Sequence, residues 1–296
     1  MMNNHNTFQA FFQSLAFLAL AFFIQLGVEI VGIAVCISAS VDMDDFSGTI
    51  SYSEVYGQME AASGQVMNLL EENTTFMMLL SVCAATACGL VFGLIYLHSL
   101  KKDIYFSERG YTPVKYLPFC IIGGVAVQFF ASSLLTEIEF FCPQWFVEYK
   151  KMVEGLQIKG SLISMAYIGI IGPVSEEVIF RGAIFGKLRQ CTTEKMANLL
   201  QALMFGLYHL NFIQGVYAFL LGYYLGEMRI KGESVYSSIL VHMAFNLTSI
   251  AILYFLPEEM EGHLFFIFCI IFGALIGALC WLMMHRLHPK EKVFIE

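Results

Sequence analysis

Residues 161–186 read SLISMAYIGIIGPVSEEVIFRGAIFG. The run is oily at both ends and carries Glu176, Glu177 and Arg181 near its centre. About 20 apolar residues suffice to cross a hydrocarbon core, and lipid offers backbone groups no partner outside a helix. The stretch therefore predicts a membrane-spanning helix, and it sets the fold class for the chain. Each ionisable group near the middle of such a span costs at least ~2.5 kcal/mol on insertion scales, so a cluster of them marks function. Helical geometry divides the cluster. Glu177 and Arg181 are four apart and share a face, with the acid N-terminal to the base, the favoured order. Glu176 points about 100° away from its neighbour and stands five residues from the arginine, so it lacks that partner. One carboxylate is structural; the other is available as a general base or acid.

The whole composition agrees. Of 296 residues, 58% are hydrophobic and 14% charged, with 28 Phe and a mean hydropathy of +0.69; a soluble domain is about a quarter charged. Eight apolar segments are candidate spans, near 9–38, 75–98, 114–135, 160–187, 195–211, 213–229, 234–256 and 264–285. They predict an all-α, polytopic bundle of about eight transmembrane helices, a single membrane domain over 1–296 with a catalytic core at 160–256. The fifth and sixth segments are short and joined by LNFIQG, a pattern that suits a tight hairpin. The stretch from Phe8 to about Ile37 follows MMNNHN, which has no basic region, and is too long for a signal-peptide core; it reads as a retained first span.

Charge sets the expected orientation. With the N-terminus inside, Lys101, Lys102, Arg109, Lys115, Lys187, Arg189, Lys195, Arg229, Lys231, Arg286, Lys290 and Lys292 fall on inner segments, against Lys150, Lys151 and Lys159 outside. This bias predicts cytoplasmic N- and C-termini in a multi-pass protein, at the plasma membrane if the source is bacterial. The net charge of −8 arises largely from outer segments, chiefly an external acidic loop at 41–74. Its pattern allows an amphipathic surface helix, and its simplest reading is a solvated connector. The 16 Lys and Arg form no dense block, which argues against a nucleic-acid partner. The eight cysteines show no CxxC spacing and no disulfide framework.

Further polar groups stand at comparable depth. FGLYH ends at His209, and HMAFN places His242 and Asn246 four apart on one face. At ~1.5 Å per residue, Glu176, His209, His242 and Asn246 lie roughly 16, 21, 13 and 19 Å from the inner ends of their spans. One site from three helices follows, with Gly172-Pro173 interrupting the helical ladder beside it. Either histidine alone would read as an interhelical hydrogen-bonding residue; their common depth with Glu176 favours a site. Gln25 and Glu29 lack such partners and read as packing residues, and Phe205 packs beneath His209.

The runs EEVIFR, FGLYH and HMAFN fit EExxxR, FxxxH and HxxxN. In that order on consecutive spans, over about Ser161 to Ala251, they resemble the CPBP (Abi) family of intramembrane proteases, the type II CAAX-prenyl endopeptidases. The resemblance implies that Glu176 and His209 activate water, that His242 and Asn246 bind the oxyanion, and that Glu177 and Arg181 support the site. It implies a peptide or membrane-protein substrate, prenylated in the family's name-giving case, met within the lipid bilayer. The cofactor is open between none and one divalent metal such as zinc, for which Glu176, His209 and His242 would be the ligands. No HExxH is present and one glutamate does not easily serve as ligand and base, which favours a metal-free site. Two other classes are consistent with intramembrane Glu and His: a transporter, and a non-catalytic immunity or sensor protein. No internal repeat supports the transporter.

Overall fold

Every apolar segment is helical in the computed structural model, which describes residues 4–40, 74–100, 111–255 and 262–287 and isolated positions between 52 and 64. Apart from those positions and Thr74, the acidic loop expected at 41–74 lies outside the described residues. No strand occurs among the described residues. The helices are α1 (Asn4–Ser40), α2 (Thr74–Leu100), α3 (Leu117–Phe141), the short α4 (Val147–Gly155), α5 (Leu162–Leu188), α6 (Glu194–Tyr208), α7 (Phe212–Gly232), α8 (Val235–Phe255) and α9 (His263–Leu287). Local chemistry sets several of the starts. The Ser161, Thr193 and Asn211 side chains each accept the backbone N–H three residues on, capping α5, α6 and α7.

Among the described residues, six helices (α1, α2, α3, α5, α8 and α9) are long and apolar enough to cross a membrane. The fifth and sixth expected spans are α6 and α7, which form the hairpin that their connector suggested. With 15 residues, α6 reaches only ~22 Å, and the last turns of α7 carry Glu227, Arg229 and Lys231. The reversal takes residues 209–211, with Leu210 in the left-handed region at φ 53°.

Lipid gives no hydrophobic drive between helices, so close backbone approach holds them together. A Cβ on Gly124 of α3 would run into the Val241 carbonyl and come within 2.7 Å of Ala244 Cβ on α8. In the hairpin, a Cβ on Gly206 would stand 2.6 Å from the Gly215 carbonyl oxygen. Phe180, Ile184, Phe185 and Leu188 then fill the half of the bundle near the α5–α6 turn and are fully buried.

Candidate active site

The helix that carries the glutamates is not uniform. Within α5, α-helical Leu162–Ala166 and Gly172–Glu177 alternate with π-helical Tyr167–Ile171 and Val178–Ile184, the kind of widened turn that recurs at functional sites. The first widened turn has a chemical cause. Pro173 has no N–H, so the carbonyl five residues earlier, on Ile168, finds no donor in the π-turn. Asn246 Nδ2 on α8 donates to it at 2.7 Å. The proline's missing bond thus ties α5 to α8 at the level of the glutamates.

The two glutamates have different surroundings. Glu177 is fully buried; its Oε1 accepts Arg181 Nη1 at 2.9 Å and the Nδ1–H of His242 at 2.8 Å. Arg181 is fully buried as well, donates through Nη2 to the Gly222 carbonyl at 3.0 Å, and lies over the Phe205 ring at 4.4 Å. Glu176 faces open space: its side chain is 22% exposed, and Oε2 stands 3.8 Å from His242 Nε2. His242 therefore bridges the paired and the available carboxylate, a link absent from the local spacing because Glu177 and His242 are 65 residues apart.

His209 sits at the tip of the α6–α7 hairpin. Its Nδ1–H donates to the Phe205 carbonyl at 2.8 Å, one of the unpaired carbonyls of a helix end. That bond leaves Nε2 as the ring's proton-accepting atom. The Phe205 ring contacts His209 edge-on at 4.8 Å and His242 at 5.9 Å, beneath both imidazoles.

Glu176, His209, His242 and Asn246 all line one cavity of about 870 Å³. Its wall also holds residues the sequence did not single out: Gln128, Tyr149, Tyr167, Tyr208, Gln214 and Tyr217. Gln25, read as a packing residue, lines the cavity too. α4 closes one end, its Tyr149 ring edge-on to Tyr217 of α7 at 6.2 Å. Burial raises the Tyr149 hydroxyl above its ordinary range, so it remains a protonated donor. Amphipathic spacing in α4 was the signal for this wall: Tyr149, Lys150, Met152 and Val153 line the cavity, while Glu148 and Lys151 pair on the exposed face.

The fit to a metal can be tested on the donors. Zinc bonds of about 2.0–2.2 Å need ligand atoms within roughly 4 Å of one another. Glu176 and His242 meet that spacing, but no group of three His, Cys, Asp or Glu gathers among the described residues. His209 does not join the pair as a third ligand, so the donor set does not fit a three-ligand zinc site, and no chemical step is derived through a metal.

Comparison with known proteins adds a class. Residues 158–248, a stretch that contains all three sequence motifs, match the family model described as "Type II CAAX prenyl endopeptidase Rce1-like". A Bacillus subtilis (strain 168) protein named "Putative membrane peptidase YdiL" is 24% identical over 167 residues, covering 56% of this chain and 68% of that protein. No solved structure matches the chain significantly. Together with six apolar helices of membrane-crossing length, these matches support an integral, multi-pass membrane protease.

Proposed function

We propose that the chain is an intramembrane endopeptidase that hydrolyses a peptide bond with water activated by Glu176 and His209. One observation carries the proposal: an available carboxylate, two imidazoles and an amide line a single cavity, with Glu176 held 3.8 Å from His242. Glu176 takes a proton from water, and the water oxygen bonds to the scissile carbonyl carbon as the carbonyl pair moves onto oxygen. Collapse of that intermediate breaks the C–N bond, and the proton on Glu176 passes to the leaving amine. His209 accepts through Nε2 and orients the water.

The oxyanion falls to His242 and Asn246. Glu177 accepts the Nδ1–H of His242 and so fixes the ring with Nε2 turned toward Glu176 and the cavity, where an Nε2–H would reach the oxyanion. Asn246 spends one amide hydrogen on Ile168 and keeps its second for the oxyanion. Such a donor is worth about 2.7–4 kcal/mol in the transition state. The substrate is a peptide or membrane-protein segment; the family description adds the prenylated C-terminal tail as one candidate.

The test compares membrane peptidomes of cells making the native chain or Glu176→Gln. Fragments specific to the native chain should fall about 10²–10⁴-fold in the variant, with protein abundance and thermal midpoint unchanged. Indistinguishable peptidomes would overturn the proposal.

A further inference from the structure

We infer that the cavity is served from the outer face of the membrane, so that the substrate is an exported polypeptide or the external segment of a membrane-anchored one. The inference rests on the peptidase reading for its substrate and on two independent features for its direction.

The first feature is where the hollow lies. On α3 the cavity is lined from Gln128 to Glu139, on α5 from Tyr167 to Glu176, and on α8 from His242 to Leu253. On the hairpin it is lined between Phe205 and Leu221, the tip and the helical turns that flank it. Each of these stretches runs from about the middle of its helix, or in α8 from His242 in its first half, toward the end nearer α4. The lining runs from buried His242 outward to exposed Lys150, Glu154 and Leu253. Toward the opposite face, fully buried Phe180, Ile184, Phe185 and Leu188 stand below the glutamates and shut the cavity off.

The second feature is charge. Lys187, Arg189, Lys195, Arg229 and Lys231 all lie around the α5–α6 and α7–α8 turns, at the shut end. The rule that short loops rich in Lys and Arg stay in the cytoplasm puts that end inside and the mouth outside. The sequence alone gives the direction of the chain; only the structure shows that the site opens at the far end.

The wall fits an extended chain. Gln128, Gln214, Tyr217 and Ser249 present amides and hydroxyls to peptide groups, while Ile168 and Phe245 offer apolar surface for side chains. A cytoplasmic protein with a lipidated tail would approach the plugged end.

Labelling of the full-length chain with a membrane-impermeant maleimide tests the direction. Ser249→Cys and Ser132→Cys report the cavity wall, Glu154→Cys the rim and Lys195→Cys the plugged end, each compared with the parent chain for background from native cysteines. In intact cells the wall and rim cysteines should react at least tenfold faster than in inverted vesicles, and Lys195→Cys should show the reverse. Wall cysteines that fail to react from outside in variants of normal abundance and thermal midpoint overturn the inference, whether the cavity faces inward or is sealed. Labelling needs no turnover. A chain that labels as expected but yields no Glu176-dependent fragments would remove the peptidase reading and leave the direction standing.

Discussion

The two halves of this bundle spend polar residues in different ways. Toward the α5–α6 turn most of them pair with one another. Arg181 and Gln201 both donate to the Gly222 carbonyl, Gln201 continues to Asn198 at 2.7 Å, Asn198 to Glu227 at 3.2 Å, and Trp281 on α9 closes the chain on the same carboxylate at 3.0 Å. Near α4 the polar groups instead face a hollow, and Glu176 has only a 3.8 Å approach to His242. Polar groups paired with one another fix a structure even where, as at Gln201 Oε1 and Arg181 Nε, single atoms stay unpaired, while groups turned toward space are available to a ligand. The border between the regimes passes between two adjacent residues, Glu176 and Glu177.

The sharpest way to break this contrast is Arg181→Ala. It leaves Glu177 as an uncompensated charge at full burial, which costs about 3–5 kcal/mol. Unfolding of the purified protein in detergent should show that loss, and the double change Glu177→Gln with Arg181→Met should recover much of it. A single variant of native stability would mean that the closed half is not held by this pair.

A smaller effect is expected at Gly222. An added Cβ would meet Phe205 Cδ1 at 3.0 Å, Arg181 Nη2 at 3.1 Å and Ala202 Cα at 3.3 Å. Overpacking of this kind costs about 1–3 kcal/mol, so Gly222→Ala should lower the thermal midpoint by less than Arg181→Ala does. Equal midpoints for Gly222→Ala and the native chain would show a looser closed half than its packing implies.

Much of this division is legible in the sequence, for a definable reason. Glu177 and Arg181 are four apart on one helix, so periodicity alone pairs them and leaves Glu176 over. The membrane class and the helices follow from composition and run length, because lipid permits few alternatives. What the sequence hides depends on distant helices meeting. Pro173 announces an interrupted ladder, but not that Asn246 supplies the missing donor. Gln25 looks partnerless until α1 is placed beside the cavity, and Glu177 looks fully occupied until His242 joins it. The expected hairpin of the fifth and sixth segments forms, but only the packed structure shows that its tip sets His209 at the cavity wall.

The smallest effect is expected at the mouth. Lys150 of α4 pairs with Glu139 of α3, with side chains 58% and 30% exposed. The segment is also tied by the Tyr254 hydroxyl, which accepts the Gly160 N–H at 3.1 Å and donates to the Ile158 carbonyl at 3.3 Å. Exposed pairs contribute about 0–1 kcal/mol because water screens them and long side chains lose freedom in forming them. A double-mutant cycle with Lys150→Gln and Glu139→Gln, read by thermal unfolding, should therefore give a coupling below about 1 kcal/mol. A coupling as large as the loss expected for Arg181→Ala would mean that the mouth is fastened as firmly as the closed half. In that case α4 would be part of the fixed frame, and the hollow would admit a chain only through the gaps between its helices.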